Sequence, residues 1–314
     1  MNRLAVIAIG GNSLIKDKGR VTVPDQYEAA GETAAHIAAL VADGWDVAVT
    51  HGNGPQVGYI LRRSEIASGE LHEVPLDVCG ADTQGAIGYA LQQTLANDFA
   101  EMGIDKTVAT VVTQVEVAAD DPGFANPTKP IGSFMEADEA ARRRDEEGWD
   151  VVEDAGRGWR RVVPSPRPCE VVEWPAIKAM LDAGVLVIAA GGGGVPVIRN
   201  EAGDLEGVDA VIDKDRASDL LGRLVEADVL VIVTQVEKVC AGFGTPDEEP
   251  LDVLPAERAA AMLAAGEFPA GSMGPKIEAA LSFLEGGGRE VVITTPELIL
   301  DAVDGTRGTR ILPA

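Results

Sequence analysis

Short runs of apolar, largely β-branched residues alternate along this chain with segments whose apolar positions recur at helical spacing. Leu4–Ile9, Trp45–Thr50, Thr107–Thr113, Val185–Ala190, Val229–Thr234 and Glu290–Thr294 lack the strict in-out alternation of a half-exposed strand. They predict buried strands of a mostly parallel sheet. Between them, Ala217, Leu220, Leu221, Leu224 and Val225 fall at i, i+3, i+4, i+7 and i+8, and Ile277, Ala280, Leu281 and Leu284 follow one face after Pro275 at a helix start. Strand and helix in alternation predict an α/β fold: a three-layer αβα sandwich with a mainly parallel central sheet and right-handed crossovers.

Residues 120–168 break the rhythm with Pro, Gly and charge. The segment MEADEAARRRDEEGWD, 135–150, predicts a solvated helix followed by a small hairpin, so the region is expected to project from the sheet as a small subdomain. A plain surface loop is the alternative, but loops of this length are uncommon unless functional. No repeat of solenoid period interrupts the pattern.

A chain of 314 residues is long enough for about two lobes and a sizeable core. Cys79, Cys169 and Cys240 are widely spaced, with no CxxC, and with His36, His51 and His72 they make no metal-ligand spacing, so no metal ligand is assigned. A reduced, cytoplasmic protein is expected. The apolar opening LAVIAIGG runs directly into a glycine turn rather than a cleavage site, and no apolar run is long enough to span a membrane. The formal charge of −25 argues against a sequence-independent grip on nucleic acid or on anionic lipid. Lysine occurs only at positions 16, 18, 106, 129, 178, 214, 238 and 276. An acidic surface of this density suits a high-salt cytoplasm, where carboxylates keep a protein hydrated.

Against that charge three lysines stand out: Lys129 in NPTKPIG, Lys214 in VIDKD and Lys276 in GSMGPK. A cation held between prolines, between carboxylates or behind a glycine is placed to hold an anion. Gly10, Gly11 and Asn12 follow the first predicted strand, and Gly52, Asn53 and Gly54 follow the second, at the edge where open α/β sheets bind ligands. Glycine there lets backbone N–H groups reach a phosphate, and the next helix adds its positive end. The turn Gly191–Gly194 follows the fourth strand and implies a similarly close backbone approach.

Asp213, Lys214 and Asp215 stand at the mouth of the helix bearing Ala217 to Val225. A lysine there can reach a transferring phosphoryl group while a carboxylate orients it or a Mg²⁺ ion. The alternative makes Asp215 an N-cap and Lys214 a solvated side chain. Lys276 in a first helical turn opposes the macrodipole, a conflict that an anion would remove. HGNGPQV departs from the dinucleotide fingerprint at Val57 and no Walker A sequence occurs, so a nucleotide needs another arrangement.

Together these motifs resemble the carbamate kinases, a branch of the amino acid kinase family. The matching blocks are GGNSL, THGNGPQVG, ADTQGAIGYALQ, TQVEV, DPGFANPTKPIG, WRRVVPSPRP, IAAGGGGVPV, GVDAVIDKDRAS, FGTP and GSMGPKIEAA, running from Gly10 to Ala280. The resemblance implies phosphoryl exchange between ATP and carbamate, giving ADP and carbamoyl phosphate, on a homodimer whose sheets join across the interface. It implies an N-terminal lobe, 1–207, for the small anion, and a C-terminal lobe, 208–314, for Mg-ATP. Gly10, Gly11, Asn12, Gly52, Asn53 and Gly54 resemble the anion-binding turns. Asp213, Lys214, Gly274 and Lys276 resemble nucleotide-binding positions, with Lys214, Lys276 and Asp215 at the transferring phosphoryl group and Lys129 brought in by the projecting subdomain.

Carbamate is already nucleophilic at oxygen, so no general base is required and His51 is expected to support its turn rather than move protons. Three positions depart from the family pattern. Cys240 stands where many members carry a Tyr near the adenine, Asp82 where a small or apolar residue is frequent, and Met135 where an aromatic is common. Two other functions fit less well: a kinase for a larger acceptor such as acetylglutamate or isopentenyl phosphate, and a nucleotide-binding regulatory protein without turnover.

Overall fold

The computed structural model describes residues 3–11, 20, 22–154, 157–269 and 271–313. An eight-stranded sheet runs through the molecule in the order Val253–Pro255, Thr309–Leu312, Glu290–Thr294, Val229–Val233, Leu4–Ile9, Asp46–His51, Leu186–Ile188, Val108–Thr110. All neighbours are parallel except Glu290–Thr294 with Thr309–Leu312. The apolar runs are explained by burial on both faces. Ala5, Ile7 and Ile9 enter one core with the Val23–Ala42 and Leu76–Met102 helices, while Val6 and Ala8 enter the other with the Lys214–Leu224 and Met273–Glu285 helices. The expected three-layer αβα sandwich is therefore present.

Five of the six predicted strands lie within two residues of their expected bounds, and the sixth is cut short. Only Val108–Thr110 of the predicted 107–113 run stays in the main sheet. The chain then peels away into Gln114–Val117, which joins a separate sheet in the order Leu205–Gly207, Val195–Arg199, Gln114–Val117, Pro168–Val171. The edge strand Val253–Pro255 and its neighbour Thr309–Leu312 escaped the sequence reading because they are only three and four residues long. Pro255 is tolerated there because it ends an edge strand.

The projecting region contains the helix Ala137–Glu147 and the expected hairpin, Val151–Glu153 with Trp159–Val163. A third strand, Lys129–Met135, joins them to make a three-stranded sheet of its own. This strand carries Lys129 at its first position. The lobes expected at 1–207 and 208–314 share one continuous sheet, since Leu4–Ile9 pairs directly with Val229–Val233. That seam brings four parallel strand ends, Ile9, His51, Ile188 and Val233, to the same edge.

Candidate active site

Each loop at that edge is shaped by what cannot be there. A Cβ on Gly11 would stand 2.5 Å from the Gly54 carbonyl oxygen, and one on Gly52 would stand 2.7 Å from the Gly11 nitrogen. The two anion-binding candidates are thus pressed backbone to backbone. Behind them, Gly192 has φ +69, and a Cβ there would stand 2.3 Å from Asn53 Nδ2. Asn53 is buried and donates from Nδ2 to Thr83 Oγ1 at 3.1 Å. Asn12 lies outside the described residues.

The Lys214–Leu224 helix begins at Asp213, whose side chain accepts from the Asp215 N–H at 3.0 Å. Asp213, not Asp215, is therefore the N-cap, and Lys214 is not solvated: its side chain is 13% exposed and that of Asp215 5%. Asp215 accepts from Lys214 Nζ at 2.5 Å on one oxygen and from Lys276 Nζ at 2.8 Å on the other. Lys129 Nζ reaches across from the projecting sheet to Asp213 Oδ2 at 2.9 Å. The helix is tied into the sheet edge by Ser218, which donates to the Lys214 carbonyl at 2.6 Å and so receives the Thr50 hydroxyl, also at 2.6 Å.

Lys129, Asp213, Lys214, Asp215 and Lys276 line one cavity of about 440 Å³, together with Gly10, Gly11, Gly52, Asn53 and Gly54. Among the described residues three lysines face two carboxylates there, a formal excess of one positive charge in a chain whose net charge is −25. A more apolar cavity of about 660 Å³ adjoins it through Thr234, Gln235, Ser272 and Lys276, and is lined further out by Cys240, Phe243, Pro250 and Phe268. A polar, cationic chamber opening into an apolar one suits a phosphate chain with an aromatic base at its end.

The amino acid kinase family model matches residues 3–295. The chain belongs to the amino acid kinase family. Its relatives include the carbamate kinase-like protein YahI of Escherichia coli, 52% identical over 99% of both chains, and the carbamate kinase of Pyrococcus horikoshii, 45% identical over the whole of both. Among solved structures, carbamate kinase from Giardia lamblia bound to AMP-PNP superposes with a TM-score of 0.94, at 41% identity, covering 100% of this chain and 99% of that one.

Electrostatics within this candidate site follow from burial and pairing. Burial alone would push the Asp215 carboxyl up, but Lys214 and Lys276 together hold it well below the usual carboxylate range. Asp213 is likewise lowered, with burial opposed chiefly by Lys129. Burial lowers the Lys214 ammonium; the adjacent Lys276 adds to that effect, and Asp215 opposes it. The expected conflict between Lys276 and its helix dipole is met by the Asp215 carboxylate.

Gly274 is the exception among the expected nucleotide positions. It lies in the first turn of the Met273–Glu285 helix, but its N–H donates to the Pro269 carbonyl at 3.0 Å and it does not line either cavity. Gly271 and Ser272 face the cavity in its place. Sequence reading also left Thr83, Gln84 and Thr113 without a role. Gln84 accepts from the Thr113 N–H at 2.7 Å and donates to the carbonyls of Thr113 and Gly191, both at 3.1 Å, bracing the glycine turn from behind. The signal available was a Thr-Gln pair set into the apolar face of a long helix.

His51 is fully buried, and its Nδ1 lies 3.0 Å from the Gly52 carbonyl, which only accepts, so Nδ1 carries the proton. Burial, with a smaller contribution from the Lys214 charge, lowers its pKa from 6.5 to about 4. The neutral ring holds its turn. In the unfolded chain His51 takes up a proton as pH falls through 6.5, while the folded protein resists until about 4, so stability is lost across that window. His51 should make the protein about 2 kcal/mol less stable at pH 5 than at pH 8. Urea unfolding of the wild type and of His51→Asn at both pH values checks this: the variant should lack that part of the loss.

Proposed function

We propose that the protein is a carbamate kinase, moving a phosphoryl group reversibly between ATP and carbamate to form ADP and carbamoyl phosphate. The observation that carries this reading is the convergence of Lys129, Lys214 and Lys276 on one cavity whose lining, among the described residues, includes no histidine or cysteine. Transfer to an acceptor that is already an anion needs alignment and charge neutralisation rather than proton abstraction. The likeness over the whole chain to the carbamate kinases of Pyrococcus horikoshii and Giardia lamblia supports the same reading.

In this reading the Gly10–Gly11 and Gly52–Gly54 backbones hold the acceptor, with Lys129 closing over it. Lys214 sits at the point of transfer and Lys276 on the phosphate chain, both aimed by Asp215. The base occupies the 660 Å³ cavity near Cys240. The lobes then divide the work at about residue 208.

Magnesium fits as an ion carried on the nucleotide. Among the described residues the only carboxylates lining the cavity are Asp213 and Asp215, and all four of their oxygens already accept hydrogen bonds. Phosphate oxygens and water would supply most of its ligands, and the ion would neutralise phosphate charge.

ATP formation from ADP and carbamoyl phosphate tests the proposal. Turnover with carbamoyl phosphate supports it; turnover with N-acetylglutamate and none with carbamate would replace it by a larger-acceptor kinase, and nucleotide binding without turnover on any acceptor would make it a regulatory protein.

The acidic surface supports a second expectation, a salt requirement. Self-repulsion of a −25 chain is screened as ionic strength rises. Melting temperature and activity should both climb between about 0.1 M and about 3 M KCl, where the Debye length falls well below 10 Å. Full activity and an unchanged melting temperature in dilute buffer would reject it.

A further inference from the structure

The projecting sheet meets the rest of the molecule at a contact between two glycines. Gly58, in the Gln56–Ala67 helix, is buried, and a Cβ built on it would stand 3.1 Å from the Gly132 Cα and 3.2 Å from the Gly132 nitrogen. Both are backbone atoms that no rotamer change can move aside. Gly132 has φ +68 and sits where the pairing of Lys129–Met135 with Trp159–Val163 slips its register, between Ile131 and Met135. That irregularity is a bulge pointing at the helix, a device that re-aims the strand carrying it.

The contact is reinforced on both sides. Arg160 Nη2 donates to the Gly132 carbonyl at 3.2 Å, Ile131 packs with Val57 and Leu61, and Arg143 lies 3.7 Å from Glu65 at the far end of the helix. The helix itself starts directly after the Gly52–Gly54 turn, and the strand begins at Lys129, three residues before Gly132. One rigid path thus joins the acceptor turn to the lysine that closes over it.

We propose that Gly58 is a positioning residue for phosphoryl transfer: its missing side chain lets the Gly132 bulge seat on the helix, and this seating sets where Lys129 stands above the acceptor. The inference rests on the role given to Lys129 in the proposed function. Gly58 touches no substrate and acts only through the strand. A methyl group there would lift the strand by a few tenths of an ångström, and displacement of a reacting constellation on the ångström scale costs up to about a hundredfold in rate.

The Gly58→Ala variant tests this. It should lower kcat for ADP and carbamoyl phosphate about tenfold and raise KM for carbamoyl phosphate, while KM for ADP stays unchanged. Alanine favours a helix interior over glycine, so the melting temperature should not fall. A fall in stability with no change in the KM pattern would mean a purely structural glycine and overturn the proposal. In the Lys129→Ala background the same substitution should add no further loss; full additivity would overturn the coupling. Gly31→Ala, whose Cβ would meet only the Thr94 methyl at an ordinary 3.8 Å, serves as the neutral control.

Amide hydrogen exchange reads the seating without any substrate. Exchange across the Lys129–Met135 strand should quicken in Gly58→Ala, and unchanged exchange would sink the inference. If the wild type itself fails to turn over carbamoyl phosphate, the proposed function falls, while the exchange result still decides whether Gly58 seats the strand.

Discussion

Replacing Lys214 by alanine should lower the rate of phosphoryl transfer by about 10³-fold or more while leaving the protein folded. In the proposed function Lys214 stands at the point of transfer. Its Nζ is held 2.5 Å from Asp215, and its stem passes the Gly52 backbone, 3.5 Å from where a Cβ on that residue would be. A cation fixed in advance at this point stabilises charge spread over the moving phosphoryl oxygens without reorganising during the step.

Stability should change little because burial already disfavours the Lys214 charge, and Asp215 keeps Lys276 as its partner. Single-turnover transfer from carbamoyl phosphate to ADP, compared with urea unfolding of the same variant, separates the two effects. Wild-type turnover in Lys214→Ala would refute the assignment of the transferring position.

Replacing Asp215 by alanine should damage folding and activity together. The carboxylate lies between two ammonium groups that are themselves mostly buried, at 13% and 14% side-chain exposure. Removing one member of a buried charge cluster leaves the others uncompensated, and such losses run to about 3–5 kcal/mol. The folded-state pKa of Asp215 is depressed, so its contribution is present above the unfolded carboxylate range and is lost as pH falls through the folded value. At neutral pH the full cost should appear in urea unfolding.

Turnover should fall as well, because Lys214 and Lys276 lose the group that aims them. Phosphate added to Asp215→Ala should recover part of the stability by binding the two unpaired lysines in the folded state only. A variant as stable as the wild type, with no response to phosphate, would show that the three groups are not energetically joined.

The case of Lys276 shows how far the sequence carries this site and where it stops. A lysine in the first turn of a helix was legible as an electrostatic conflict requiring an anion. Sequence reading left that anion to a ligand; in the fold, Asp215 supplies it from a segment 61 residues away. The alternative that made Asp215 the cap failed for a related reason. VIDKD offers two aspartates at a helix mouth, and only the backbone path decides which one turns back onto the amide.

Gly274 shows the same limit from the other side. The family resemblance placed it among the nucleotide-binding positions, yet its amide closes a turn onto Pro269.

Apolar runs such as LAVIAI and VLVIV determined by themselves that a mainly parallel, twice-covered sheet would form, because only a strand buried on both faces tolerates such a run. Local chemistry also marked the glycine turns and the three lysines as candidates. What the tertiary structure decided was the convergence. Parallel strands place the ends at Ile9, His51 and Val233 on one edge, and a bulged strand from a separate sheet lowers Lys129 onto Asp213 from 84 residues away. Periodicity and propensity act within one segment, whereas the field inside this cavity depends on distances between segments, and those exist only once the chain is packed.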